Sequence, residues 1–139
     1  MITKYKQLIP HGKSDENGDC FRTAVACLMN IPPEEVPHFC SKENTDWSGE
    51  FMSWLQSKGY TTVNLEWGEW VEDCLKGTYH LLLGISPRFE GLFHEIVGYE
   101  GYPFHDPHPD NSMITDDTSK WQIKLIIPKH FNKCKDDEK

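Results

Sequence analysis

Three residues far apart in the chain have the types and settings of a nucleophile, a base and an orienting carboxylate. Cys20 follows the turn-forming segment ENGD and opens the stretch CFRTAVACLMN. His94 opens the alternating segment HEIVGY, and Asp106 comes 12 residues later, after YPFH. A thiol, an imidazole and a carboxylate are the groups that cysteine-based nucleophilic catalysis uses. We therefore take Cys20, His94 and Asp106 as a candidate catalytic triad.

Cys20 stands in the first turn of a predicted helix. Apolar residues recur at helical spacing from Asp19, the expected N-cap, to Asn30, where IPP supplies the stop. Unpaired backbone N–H groups and the helix dipole favour negative charge there, so we expect a lowered pKa for the Cys20 thiol. The N–H of Cys20 would also donate to an oxyanion that forms beside the sulfur.

The spacing of His94 and Asp106 is typical of a β-hairpin. HEIVGYE and YPFHD are predicted strands, and Glu100 and Gly101 are the predicted tight turn between them. Folding at this turn returns Asp106 to the neighbourhood of His94. The carboxylate could then accept a hydrogen bond from one ring nitrogen and leave the other nitrogen facing the thiol.

The remaining patterns predict an α+β domain, with helices first and an antiparallel sheet after them. DWSGEFMSWLQSKG predicts a second helix, and EWVEDCLKG a short third one. YHLLLGIS and WQIKLII predict further strands, and TTVNLEW predicts a strand at an edge of the sheet. We assign residues 1–131 to one domain and expect the charged tail 132–139 to be disordered.

Composition excludes several classes of function. The chain has 139 residues and a net charge of −8, without the basic cluster that a nucleic-acid surface needs. Its five cysteines are irregularly spaced and contain no C-x-x-C pair, which argues against a disulfide framework or a zinc ribbon. No apolar run approaches a membrane span, so we expect a cytoplasmic protein with no membrane partner.

Two segments together resemble a known family. NGDCFRTAVACLMNIPPEEVPHF and HEIVGYEGYPFHDPHP, in this order, resemble the papain-like cysteine hydrolases, in particular the small peptidase-C39-like proteins often encoded by bacteriophages. The resemblance covers roughly residues 14–109 and implies a papain-like fold in which the cysteine-bearing helix packs on the histidine-bearing sheet. It implies Cys20 as nucleophile, His94 as general base and later acid, and Asp106 as the orienting group. It implies no cofactor, a peptide or protein substrate with an amide or isopeptide bond, and the host cytoplasm as location.

This sequence differs from the family at the side chain that donates to the oxyanion. Papain-like enzymes often place a glutamine about six residues before the cysteine, and Ser14 stands at that position here. Asn17 and Gln7 are the nearest amide side chains, and we favour Asn17, which is equally suited to a turn in ENGD. Both remain candidates.

The DCFR segment also resembles the OTU-type deubiquitinases. Those enzymes usually carry an acidic residue three positions before the cysteine, where Asn17 stands here, and a histidine close to the end of the domain. His130 would have to be that histidine. The two departures place this second resemblance below the first.

Two further groups of residues are weaker candidates for a site. HDPHPD brings together metal-ligand types, but its two prolines favour an extended loop in which successive side chains diverge, so we predict no metal site. Trp67 and Trp70 flank a glycine in a predicted loop and are candidates for lining a substrate groove, although packing is the commoner role of such residues.

Two functions of different class follow from these residues. In the first, Cys20 attacks an amide or isopeptide bond, forms an acyl-enzyme and releases it to water, or to an amine in a transglutaminase-like variant. In the second, a papain-like scaffold binds a host protein through its acidic surface without turnover. The sequence predicts neither the oligomeric state nor the identity of the substrate.

Overall fold

The computed structural model describes residues 2–9, 18–41 and 44–129. The described residues form three α-helices and five β-strands. The helices are α1 (Cys20–Met29), α2 (Trp47–Ser57) and α3 (Val71–Cys74). The strands are β1 (Tyr60–Glu66), β2 (Tyr79–Ile85), β3 (Phe93–Tyr99), β4 (Tyr102–His105) and β5 (Gln122–Pro128).

All five strands belong to one antiparallel sheet in the order β1-β5-β2-β3-β4. The predicted α+β class is confirmed, and so is the position of the first strand at an edge. β3 and β4 are joined at Glu100 and Gly101, whose φ angles of 56° and 92° are both left-handed. This backbone matches the two-residue hairpin turn predicted there.

Alternation along the strands gives the sheet two apolar faces. Leu81 and Val97 point to the first face, where they pack under α1 and α2. Leu82 and Ile96 point to the second face and join a separate cluster that includes Trp121. Each fully buried side chain of this size contributes about 1.5–3 kcal/mol, so both faces hold the sheet in place.

The two main helices begin and end close to the predicted residues. α1 stops at Asn30, whose φ of 55° is left-handed and whose N–H donates to carbonyls of the last turn. α2 is capped by Asp46, which accepts from the N–H of Gly49, and is followed by Gly59 with a φ of 91°. α3 is a single turn, shorter than the predicted segment. The predicted tail, residues 132–139, lies outside the described residues.

Candidate active site

His94 and Asp106 meet at the open end of the β3–β4 hairpin. Nε2 of His94 and Oδ1 of Asp106 are 2.7 Å apart, and both side chains are buried. His94 lies at the start of β3 and Asp106 directly follows β4, so the register of the hairpin holds the two groups together. If Nε2 donates its proton to the carboxylate, a neutral His94 presents the lone pair of Nδ1.

Asp106 is held by donors on both carboxylate oxygens. The N–H of His108 donates to Oδ1 at 2.9 Å and the N–H of Met113 donates to Oδ2 at 2.8 Å. The guanidinium of Arg88 lies 3.6 Å from Oδ2. Burial raises the pKa of Asp106, but the hydrogen bonds from His94 and the two backbone N–H groups outweigh it, so the pKa is lower than usual. Asp106 is therefore an ionised, fixed partner for the imidazole.

The residue before the nucleophile ties the N-terminal segment to the start of α1. The carboxylate of Asp19 accepts from the N–H of Ile9 at 3.0 Å and from Nε of Arg22 at 3.1 Å. The N–H of Asp19 donates in turn to the carbonyl of Ile9. Among the described residues the Asp19 side chain makes no capping bond, so it occupies the predicted N-cap position but serves a different purpose.

Cys20 is the first residue of α1, and its sulfur lies against the backbone of β3. Burial raises the pKa of the thiol to about 12, the N–H of Glu95 lowers it, and the carboxyl of Glu95 raises it again. The direction is opposite to the one we predicted from the helix start. The helix start lies over the sheet instead of facing water. The loss of hydration destabilises the thiolate by more than the helix N-terminus stabilises it.

Two cavities meet at Cys20. The smaller, of about 70 Å³, is also lined by His94, so the thiol and the imidazole border a common space. The larger is a groove of about 710 Å³ that runs from Cys20 across the sheet. Gly18, Cys20 and Phe93 line both. Cys20 is therefore reached from two cavities, of which His94 lines the smaller.

Gln7 brings an amide side chain to the smaller cavity at Cys20. It is buried, lines the smaller cavity with Cys20, and donates through Nε2 to the carbonyl of Ile9 at 3.0 Å. Its backbone N–H donates to the carbonyl of Pro107 at 2.8 Å. Since one N–H of the amide is engaged with Ile9, the second remains for an oxyanion. Asn17, the candidate that the sequence favoured, lies outside the described residues.

The structure does not bring Trp67 and Trp70 to either cavity at Cys20. Trp67 belongs to the second face of the sheet, where its ring centroid is 5.4 Å from that of Trp121 and its indole donates to the carbonyl of Gly101. Trp70 is partly exposed at the start of α3. The interpretation of these two residues as groove residues is therefore wrong: Trp67 packs where alternation along the chain sends it, away from α1.

The HDPHPD segment is divided among different partners. Nε2 of His105 lies 2.6 Å from the carbonyl of Tyr5, and Nδ1 of His108 accepts from the N–H of Asp110. Asp110 also pairs with Arg88 at 3.0 Å. Within residues 2–9, 18–41 and 44–129, no three histidine, cysteine or acidic side chains converge as metal ligands.

Sequence reasoning missed two residues next to the nucleophile, Arg88 and Glu95. Arg88 lines the smaller cavity, and Glu95 lines the groove. Glu95 lies two residues before the apolar Val97 of β3, and alternate residues of a strand share a face, which is the signal that assigns it to the α1 side of the sheet. Arg88 lies in the loop between β2 and β3, and we find no sequence signal for it.

Comparison with known proteins adds no relative: no family model, no curated protein and no solved structure matches this chain. Among the described helices, none has the length and apolar character needed to cross a bilayer. A function for this chain is therefore inferred from its residues and their geometry.

Proposed function

We propose that this protein is a papain-like cysteine hydrolase that cleaves an amide or isopeptide bond through an acyl-enzyme. The observation that carries the proposal is the 2.7 Å contact between His94 and the ionised Asp106, with His94 and Cys20 lining one cavity. A buried carboxylate that orients an imidazole, in a cavity that a thiol at a helix start also lines, has a direct chemical use in acyl transfer.

The first half-reaction joins the substrate to the sulfur. As Cys20 attacks the carbonyl carbon, Nδ1 of His94 takes the thiol proton and Asp106 stabilises the imidazolium. The N–H of Cys20 and the amide of Gln7 donate to the oxyanion. The C–N bond then breaks as His94 passes its proton to the leaving amine, and a thioester remains on Cys20.

The second half-reaction restores the enzyme. A water molecule attacks the thioester carbonyl and gives one proton to His94. The C–S bond breaks, the carboxylic acid leaves, and the proton on His94 returns to the sulfur. Asp106 keeps its negative charge throughout because its donors hold its pKa low.

The raised pKa of Cys20 sets the order of the first events. With a thiol pKa of about 12, Cys20 rests as the neutral thiol at neutral pH. Proton transfer to His94 therefore accompanies the formation of the S–C bond, and His94 acts as a true general base.

An activated acyl ester tests the proposal directly. Mixing the protein with a p-nitrophenyl ester of an N-acyl amino acid should release one equivalent of nitrophenol in a burst and add the acyl mass to Cys20. His94→Ala should remove the burst, while His38→Ala and Cys74→Ala, at a half-buried histidine and an exposed cysteine, should keep it. An acyl adduct that forms equally in His94→Ala, or one that never forms on Cys20, would refute the enzymatic proposal.

A second candidate function is a binding module with the same fold and no turnover. The observation that favours it is the raised pKa of Cys20, since an inert buried thiol has this property. The same assay separates the two functions, because a binding module forms no thioester. Added amine, which would compete with water for the thioester, separates the hydrolase from an acyltransferase that uses the same triad.

A further inference from the structure

A row of side chains crosses the sheet and ends beside Cys20. The strand registers place Glu66 opposite Gln122, Gln122 opposite Leu83, and Leu83 opposite Glu95. Residues directly opposite each other in antiparallel strands project from the same face. These four residues therefore form one line from the β1 edge of the sheet to the nucleophile, and all four line the groove.

The groove on this row is open at one end and enclosed at the other. Glu66 and Gln122 are exposed at the β1–β5 end, whereas Glu95 is buried next to Cys20 and Cys40. Apolar side chains form part of its lining, namely Phe21, Trp47, Leu83 and Phe93. A volume of about 710 Å³ has room for several residues of an extended peptide.

Glu95 is the unusual residue of this row. Its side chain is enclosed, with 7% of the residue exposed. Among the described residues, Lys124 acts on it through its charge from beyond ion-pair distance, and none donates a hydrogen bond to it. Buried carboxyl groups normally have such partners, since an unpartnered polar group in a low-dielectric site is costly. Glu95 therefore faces the groove, and no donor from residues 2–9, 18–41 or 44–129 occupies its carboxyl group.

We propose that the groove is the acyl-side subsite of this enzyme and that Glu95 selects a lysine or arginine at the residue whose carbonyl Cys20 attacks. The inference rests on the proposed hydrolase function and adds a substrate class to it. An ammonium or guanidinium would give Glu95 the donor that it lacks, and the apolar walls would cover the aliphatic stem of the same side chain.

The charge of the groove agrees with a cationic substrate. Glu66 and Glu95 are acidic and Lys124 is the basic residue of the lining. Three titratable groups from neighbouring parts of the chain act on Glu95. They are Cys20 at the start of α1, Lys124 on β5, and Cys40, which precedes α2. Burial raises the pKa of Glu95 to about 8, and Lys124 lowers it. A bound cation would displace the proton that Glu95 still carries near this pH. The preference for a cationic side chain should therefore be strongest at alkaline pH.

Paired peptidyl electrophiles test the inference on the intact protein. Acyloxymethyl ketones that end in lysine or in norleucine differ by one ammonium group, and arginine and citrulline form a second pair. We expect the cationic member to alkylate Cys20 about tenfold faster at pH 8.5, because a charge-assisted hydrogen bond is worth about this factor. The ratio should shrink at pH 6.5, where Glu95 holds its own proton.

The matched variants separate the role of Glu95 from general damage. Glu95→Gln keeps the size of the side chain and should bring the lysine to norleucine ratio close to one, whereas Glu90→Gln, at an exposed loop residue, should leave it unchanged. Equal rates for both members of each pair in the wild-type protein, or a ratio that survives in Glu95→Gln, would overturn the inference. The wild-type ratio decides the question even if the variant is unstable.

Failure of the hydrolase proposal has a different signature. If no electrophile labels Cys20 in a manner that depends on His94, the enzymatic function and this inference both fall. If Cys20 is labelled with dependence on His94 but without preference for the cation, the hydrolase proposal stands and only the selection by Glu95 is wrong.

Discussion

Asp106 and Glu95 are two buried carboxyl groups near the same end of the sheet, and they have opposite properties. Asp106 receives donors on both oxygens, and its pKa falls below the usual value despite burial. Glu95 has no donor among the described residues, and burial raises its pKa to about 8. Burial alone therefore does not decide whether a carboxyl group is charged; the donors around it do.

The two cavities at Cys20 are lined by different titratable groups. The smaller one contains the imidazole whose orientation Asp106 holds, and its Arg88 pairs with Asp110 outside the cavity. The groove contains Glu95 and the exposed polar ends of β1 and β5. His94 therefore lines one cavity at Cys20, and Glu95 lines the other.

Removing the charge of Asp106 should have the largest effect. Asp106→Asn retains the size of the side chain, but one amide oxygen cannot accept from His94, His108 and Met113 together. We expect the free energy of unfolding at pH 7 to fall by about 3 kcal/mol, measured by urea denaturation. The burst with an activated ester should slow by about 10²-fold or more.

The pH dependence provides the control for this variant. The folded pKa of Asp106 is lowered, so its stabilising contribution is present above the unfolded pKa and is lost as the pH falls through the folded value. The stability of wild-type protein and Asp106→Asn should therefore converge towards acid pH. A constant difference down to acid pH would mean that the charge of Asp106 is not what stabilises the site.

Glu95→Gln should increase the free energy of unfolding, whereas Asp106→Asn should decrease it. The folded pKa of Glu95 is raised to about 8, so the folded state is favoured below the unfolded pKa, near 4.5, and loses that advantage as the pH rises through 8. The variant has no proton to lose and should be more stable than wild-type protein at pH 8, by an amount on the order of 3 kcal/mol. Urea denaturation at pH 5 and pH 8 measures it, and parallel curves would contradict the comparison.

Gln7→Ala should reduce activity more than stability. Loss of one oxyanion donor typically slows acylation by about 10²-fold, and the variant should leave the binding of a peptide in the groove unchanged. Asn17→Ala is the matched control, because Asn17 is the other amide predicted for this role. A large effect at Asn17 with none at Gln7 would reassign the oxyanion donor.

The smallest effect on activity is expected from replacing a tryptophan in the groove, and a second tryptophan of similar exposure provides the control. Trp47 is 40% exposed and lines the groove, whereas Trp70 is 37% exposed and lines neither cavity at Cys20. Trp47→Ala should raise KM several-fold through the lost contact area, by about 1 kcal/mol, with little change in kcat. Trp70→Ala should leave both constants unchanged, and equal effects would show that the groove does not hold the substrate.

Local patterns sufficed wherever the interactions are short in sequence. α1 and α2 follow from helical spacing and from their stops at Asn30 and Gly59. The β3–β4 hairpin follows from its turn residues, and the same turn places Asp106 beside His94. In each case the residues that decide the geometry are close together in sequence. Their conformational preferences therefore fix the element without contacts from distant parts of the chain.

Only the tertiary structure decided which environment each reactive group meets. The packing of α1 over β3 raised the pKa of Cys20 instead of lowering it. The pairing of β2, β5 and β1 aligned Glu95 with Gln122 and Glu66 across the sheet. The bond between Ile9 and Asp19 carried Gln7 to the nucleophile. Desolvation depends on atoms that approach from distant parts of the chain, and a pattern read along the chain does not contain them.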